Sequence, residues 1–476
     1  MQARSAAEIW AESAFGKVNL GDSRRTARFV RCVARAFEKP SGKLSETFTR
    51  TKELGAAYDF VENPKVCIHQ LEDCVGRATA AACTGGERVR IAVDGSSAQV
   101  VDRTGKKGLG RIGADTKPTR GVKVMTALAV DAHGTTVGIL AQAFWARASA
   151  SKRKKSLAQK HNERNRKSPQ QKETGYWLGV IGQSAKRLDE SGVLGWFQLD
   201  REGDAWPMLQ TLAKTNHWFT VRSAWDRVVQ GTGRDRHHLR AVLAARRPIG
   251  SYELNVPAGK KRKARRARML VRVATVTLVL RDKCKGTTFP LSVNVVWVRE
   301  QGTTPRGEKP VDWMLLTNAP IDTVAMAFDV VAGYAMRWRI EEFHKTWKSG
   351  ACKIEDTQLR SRNAIIRWAT ILGVVAARIE RLKKLSRTEP DRPASDELTE
   401  TEIDVLIALK RSYKKRTETV PNGMPSMAQA VRWIADLGGY TGKSSGGPPG
   451  SIVLTRGLLH LAAAVDGVLA MRRSQK

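Results

Sequence analysis

Apolar residues recur at helical spacing toward both ends of the chain and at strand spacing through its middle. Ala6-Ala7-Glu8-Ile9-Trp10-Ala11-Glu12 opens an amphipathic turn. Asp22 or Ser23 is placed to N-cap a helix with Arg24, Arg25, Arg28 and Arg31 in its first turns and Phe29, Val30 and Val33 inside. Strand signals begin near residue 88, where Val89-Arg90-Ile91-Ala92-Val93 is β-branched and ends at Asp94. Val122 to Val130 and Thr135 to Phe144 predict a hairpin around Asp131-Ala132-His133-Gly134. A polar basic stretch, 147–173, includes Lys152-Arg153-Lys154-Lys155 and predicts a surface loop or solvated helix face. A helix near 174–188 follows. The apolar strand Gly195 to Leu199 ends in Asp200, Trp206 to Lys214 is the next helix, and Trp218 to Arg222 the next strand.

Residues 223–311 alternate strand-like runs with turns and predict an antiparallel β insertion. Its segment Lys260 to Arg268 holds seven basic residues in nine, either a solvated loop or a phosphate contact. Asp312 to Thr317 is a strand, and a long helix is expected over about 321–350. Thr357 to Lys384 is helical, 386–402 a linker candidate, and 403–476 helical around a glycine- and proline-rich break at Ser444 to Gly450. In the last helix Leu458, Leu461, Val465 and Leu469 share one side, as an internal core stripe or a dimer contact.

Length and charge narrow the function. The 476 residues suggest two to four domains, and 41% apolar content supplies sizeable cores. The longest apolar stretch, Ile452 to Met471, is interrupted by Arg456, His460 and Asp466, so no membrane span is expected. Met1 to Ser5 lacks the apolar core of a secretory signal, and a cytoplasmic protein is expected. The six cysteines are scattered without a CxxC pair and read as reduced thiols; Cys67, His69, Cys74 and Cys83 fit no standard zinc spacing. Lys and Arg number 82 against 46 acids, a net charge of +36. An excess spread along the whole chain implies a polyanionic partner, and nucleic acid fits best.

Three acids stand out by position. Asp94 and Asp200 each follow an apolar β run, where side chains of α/β sheets project into a ligand crevice, though an Asp there also serves as a turn or helix cap. Glu341 sits on a helix. Carboxylates from separate elements are the oxygen donors that Mg²⁺ takes, and two such ions suit phosphoryl transfer. At about 100° per residue, Tyr334, Arg337, Glu341 and Lys348 fall within a stripe of about 60°, with Glu342 turned about 100° away. An aromatic, two cations and an acid suit a metal-ligating Glu beside phosphate-gripping cations; the alternative is a salt-bridged surface helix.

That same helix carries a family resemblance. Tyr334, Arg337, Glu341 and Lys348 match the Y-x2-R-x3-E-x6-K signature of the insertion-sequence-4 group of bacterial DDE transposases, and Arg337 to Lys345 resembles its transposon-five-like branch. Asp94-Gly95-Ser96-Ser97 is similar to the first-acid motif and Leu199 to Asp204 to the second. Leu20 to Arg28 resembles the N-terminal end-binding segment. The resemblance implies an α/β fold: an RNase H-like mixed-sheet catalytic core with a β-rich insertion, flanked by helical N- and C-terminal domains. On this reading 1–70 binds DNA ends, 71–385 is catalytic with 223–311 inserted, and 386–476 dimerises. It implies cut-and-paste transposition through a hairpin intermediate, with Asp94, Asp200 and Glu341 holding two Mg²⁺ ions, Mn²⁺ being a substitute. Tyr334, Arg337 and Lys348 would hold phosphates, Arg222 would touch DNA nearby, and Arg24, Arg25 and Arg28 would contact the ends. Trp313, otherwise a core tryptophan, would stack a flipped base. The implied partners are the double-stranded terminal repeats, the target DNA and a second copy in a synaptic dimer, in the bacterial cytoplasm and on the nucleoid when DNA-bound. Asp59 and Glu62 depart from the pattern, standing where that branch carries basic residues, so end recognition is expected to differ. A nuclease that cleaves without joining, or a non-catalytic DNA-binding descendant, are the alternatives.

Overall fold

The computed structural model describes residues 5–83, 86, 88–113, 119–147, 156–231, 237–259, 262–282, 284–413, 420, 423–442 and 447–474. Lys152 to Lys155, Lys260, Lys261 and the start of the glycine-rich break lie outside the described residues. In chain order the helical N-terminal region is α1 (Ala6–Phe15), α2 (Ser23–Glu38), α3 (Leu44–Thr47), α4 (Thr51–Glu62) and α5 (Ile68–Ala82). Then come β1 (Val89–Gln99), β2 (Gly110–Arg111), β3 (Arg120–Val130), β4 (Thr136–Trp145), α6 (Leu157–Arg166), α7 (Thr174–Glu190), β5 (Gly195–Leu199), α8 (Trp206–Ala213) and β6 (Trp218–Arg222). The insertion supplies β7 (Val228–Val229), β8 (His237–His238), α9 (Leu239–Ala244), β9 (Gly250–Val256), β10 (Arg265–Asp282) and β11 (Thr287–Glu300). The remainder is β12 (Asp312–Thr317), α10 (Val324–Met336), α11 (Arg339–Lys348), α12 (Arg362–Thr388), α13 (Glu400–Tyr413), α14 (Met427–Leu437) and α15 (Ser451–Ser474).

The chain forms two compact units, one of Met1–Gly85, Gly95–Ala150 and Arg339–Lys476, the other of Gly86–Asp94 and Ser151–Trp338. The second unit is built on a mixed sheet. The start of β1 pairs parallel with β5 and β5 parallel with β6; β12, β11 and β10 continue it antiparallel. The apolar run of β1 is buried on both faces, as parallel strands require. Leu188 of α7 covers Ile91 from one side, and α10 crosses the other, where a β-carbon on Gly333 would lie 3.3 Å from Gln198 Nε2. The expected β insertion is present, but it adds strands to this sheet rather than a separate layer, because Asn294–Arg299 of β11 pairs with the whole of β12.

The first unit wraps helices around the β3–β4 hairpin. Asp131 shapes the hairpin turn by accepting from the amides of His133 (2.9 Å) and Thr135 (2.8 Å), while Gly134 takes φ +81°. Asp22 caps α2 as expected, and Phe29, Val30 and Val33 are buried. The long helix α12 is buried along most of its length. Arg367 ties it to the N-terminal region by donating to the carbonyls of Val66 (2.7 Å) and Val61 (2.8 Å), and Trp368 Nε1 donates to Ser41 O.

Four sequence expectations change. β1 does not stop at Asp94; its later half continues beside β3 in the first unit, with Val100 N donating to Arg120 O. The single helix over 321–350 is two, α10 and α11, because the amides of Arg337 and Trp338 bond three residues back and tighten the turn. The linker candidate 386–402 is anchored: Ala394 and Leu398 are buried, and Glu397 pairs with Arg378 and Arg381. Ser451–Arg472 is apolar enough by length and composition to cross a membrane, its mean hydropathy of 1.6 outweighing the three polar interruptions. Its stripe of Leu458, Leu461, Val465 and Leu469 nevertheless packs inside the chain, against α13 and α14. The α14–α15 approach is close enough that a β-carbon on Gly457 would fall 1.6 Å from Ile434 O.

Candidate catalytic and nucleic-acid site

Strand register assembles the first part of the site. The β1–β5 ladder ends at Val93 opposite Leu199, and the β5–β6 ladder at Leu199 opposite Val221. The next residue on each strand is Asp94, Asp200 and Arg222, so these three stand in a row at the C-terminal ends of three parallel strands. Leu315 of β12 is the register partner of Arg222 and extends the row. Side chains alternate along strands, so the row shares its face with Gln198, Trp196 and Trp218, the face that α10 covers. Parallel apolar strands ending in polar residues are dictated by the local sequence; which ends adjoin is decided only by pairing.

Above this row lie the last residues of α10. Arg337 Nη1 is 3.2 Å from Asp94 Oδ2, with 11% and 18% of the two side chains exposed. Arg222 donates to Asp312 O (2.9 Å) and lies near the Tyr334 hydroxyl. Burial lowers the Arg222 pKa, Tyr334 partly opposing it, and burial raises that of Tyr334 despite Arg337 and Arg222. The Tyr334 ring meets Trp313 edge-on at 5.2 Å. Trp313 is half-buried, packed against the core on one side and open on the other. Asp200 Oδ1 accepts from Glu202 N (2.8 Å), so the helix-capping reading of this acid is realised. Capping engages one carboxylate oxygen in a single bond and leaves further acceptor capacity.

The second unit therefore gathers Asp94, Asp200, Arg222, Trp313, Tyr334 and Arg337. Glu341 and Lys348 lie on α11 in the first unit, both half-buried. The continuous helix expected here is divided into α10 and α11, with Tyr334 and Arg337 before the division and Glu341 and Lys348 after it. Glu342 is turned to Arg339 at 2.5 Å. Among the described residues no group of three His, Cys, Asp or Glu side chains is drawn together as a metal site, the Cys67–Cys83 region included. All six cysteines are free thiols. On α2, Arg24 is exposed and Arg28 half-buried, whereas Arg25 Nη1 donates to Leu20 O (2.8 Å) and Lys65 O (3.0 Å) and braces the fold.

Three features escaped sequence reasoning. Buried Asp204 accepts from Arg227, Ser223 and Ala224 N and fixes the chain beyond β6. Arg88 stacks on Trp218 at 3.8 Å, and Arg90 lies 5.6 Å from Trp196. The alternation of Arg88, Arg90 and Asp94 was the available signal for a polar face. Finally, His344 is enclosed beside Thr126, and burial pushes its pKa down to about 3. Its unfolded value is about 6.5, so below that pH the unfolded chain binds the extra proton and stability falls as pH drops toward 3. A loss of about 2 kcal/mol between pH 6.5 and 5 is expected from this group. Urea unfolding at the two pH values checks it; a His344→Gln variant with an undiminished pH dependence would refute the assignment.

Comparison with known families gives two matches. Residues 7–66 match the transposase DNA-binding family, and residues 374–475 match the Tn5 transposase dimerisation domain. The first covers α1 to α4, with Arg24 and Arg28; the second runs from mid-α12 through α15. Together with the mixed α/β core between helical ends, they support DNA binding and homodimer formation and are in keeping with a transposase. These matches, one at each end of the chain, support a Tn5-like transposase of the insertion-sequence-4 family.

Proposed function

We propose that this transposase works by cut and paste, cleaving transposon ends through a hairpin intermediate and joining them to target DNA. The observation that carries this reading is the register row Asp94–Asp200–Arg222 beneath Tyr334 and Arg337. Adjacent strands are about 4.8 Å apart. Two carboxylates one strand apart at one level are a donor set that hard divalent cations accept. Asp94 and Asp200, with Glu341 of α11, would hold two Mg²⁺ ions, or Mn²⁺ in their place. Such ions supply charge stabilisation at the phosphodiester and a readily deprotonated oxygen nucleophile.

The chain's own residues do the rest. Arg337 neutralises Asp94 and is placed to transfer one of its donors to a phosphate, since a guanidinium offers five. Arg222, tied to Asp312 O, sets a further cation beside the Tyr334 hydroxyl. Trp313 offers a free edge for an unpaired base, a sequence-tolerant contact for an extruded nucleotide. Lys348 adds a cation on the Glu341 helix. Arg24 and Arg28 of α2 serve the ends, while Arg25 serves the fold. Asp59 and Glu62 repel phosphate and set a recognition pattern different from the transposon-five branch.

The test is a joining assay. The full chain is incubated with Mg²⁺, a pre-cleaved end duplex and a supercoiled target, and the intact end is followed on a denaturing gel. Joined product and a hairpin of doubled strand length are expected. Cleavage with neither would replace this reading by that of a nuclease.

A further inference from the structure

The sheet of the second unit has a second face, turned away from α10, and its charge is unbalanced. Trp297 of β11 is nearly buried there, with 4% exposed. Three guanidiniums surround its ring: Arg240 at 5.9 Å, Arg272 at 5.6 Å and Arg299 at 5.6 Å. Register explains the gathering. Arg272 is the cross-strand partner of Trp297, Arg299 follows two residues along on the same face, and Arg240 comes from α9. Asp312, opposite Arg299, has its carboxylate taken by the Trp297 indole N–H (2.8 Å) and by Arg240 (2.8 Å). Of the three arginines, Arg240 is the one paired with this acid, and its backbone amide also donates to Asp226 Oδ1. Arg272 adds only a bond from Nε to Arg246 O (3.0 Å).

We propose that Arg240, Arg272 and Arg299 form a further contact surface for the sugar–phosphate backbone of double-stranded DNA, separate from the catalytic row. This rests on the chain being a DNA-binding transposase. Like charges packed around one ring are unfavourable in isolation and favourable once a polyanion releases its counterions to them. The kind of contact follows from the geometry. The indole is covered, so it offers no face on which an unpaired base can stack. The guanidiniums remain, exposed at Arg240 and Arg299 and half-buried at Arg272, and such groups grip phosphates without reading sequence. The surface therefore fits duplex backbone and leaves sequence choice to other parts of the chain.

The full-length Arg272→Gln/Arg299→Gln protein tests this against a duplex without transposon ends, titrated by fluorescence anisotropy between 50 and 200 mM salt. Each lost phosphate contact removes about 0.9 from the slope of log affinity against log salt. The double variant is expected to lose close to two contacts, with affinity on the order of 10²-fold lower at 50 mM salt. Arg272→Lys/Arg299→Lys keeps the charge and should keep the slope. Exposed Arg299→Gln alone, which leaves the cover of Trp297 mostly in place, should lose about one contact. An unchanged slope in the folded glutamine variants overturns the proposal while leaving the transposase reading intact. Failure of the unaltered protein to bind any duplex would remove both.

Discussion

Glu341→Gln is expected to reduce cleavage of a transposon end by about 10³-fold or more, the loss of roughly 4 kcal/mol of transition-state stabilisation. Binding to the same end should stay within about threefold, because the substitution is isosteric and adds no bulk to α11. α11 is held in the first unit by Phe343, His344 and Trp347 on its buried side. Glu342 is the internal control. It precedes Phe343, pairs with Arg339, and Glu342→Gln should alter cleavage only a few-fold. Equal cleavage by Glu341→Gln and the parent protein would end the assignment of this residue. So would equal losses in both glutamine variants.

Trp347→Ala is expected to destabilise the first unit by about 3–5 kcal/mol. The side chain is fully buried, and its indole N–H donates to Ala369 O of α12 at 2.9 Å. Phe144 of β4 packs at 6.2 Å. Alanine removes the contacts, leaves a cavity and strands the carbonyl partner. Because α11 carries Glu341, the same change should loosen that acid and lower cleavage beyond the loss of folded protein. Hydrogen exchange resolves the two effects: amides of α11 and α12 should lose protection, while those of β5 and β6 in the other unit keep theirs. Trp347→Phe should recover most of the protection. Unaltered exchange in α11 after Trp347→Ala would show that the tryptophan does not hold the helix.

Much of the candidate site was legible because its signals are local. An apolar β-branched run followed by an acid marks both Asp94 and Asp200, and α2 announces itself through the Asp22 cap and its arginines. Charge over the chain requires a polyanion irrespective of fold. Errors arose where local rules are degenerate. No Pro or Gly stands at Arg337 or Trp338, where the helix tightens, so the division into two helices has no mark in the local sequence. Hydropathy counted the interruptions in Ile452 to Met471 but not the weight of the Leu, Ala and Val around them. The stripe of Leu458 to Leu469 satisfied both core and dimer readings, and only the neighbouring helices distinguish them.

By itself the sequence determined element types, the acids at strand ends, the basic charge and the motif order, because these depend on side-chain chemistry and on spacing within a few residues. The tertiary structure decided which strand lies beside which, and with that the alignment of Asp94, Asp200 and Arg222. It also decided the pairing of Arg337 with Asp94, the burial of His344 and the ring of arginines around Trp297. These are long-range outcomes: the partners that build these features stand about 25 residues apart for Arg272 and Trp297 and about 106 apart for Val93 and Leu199, and register within a ladder is fixed by the whole buried face rather than by any one segment.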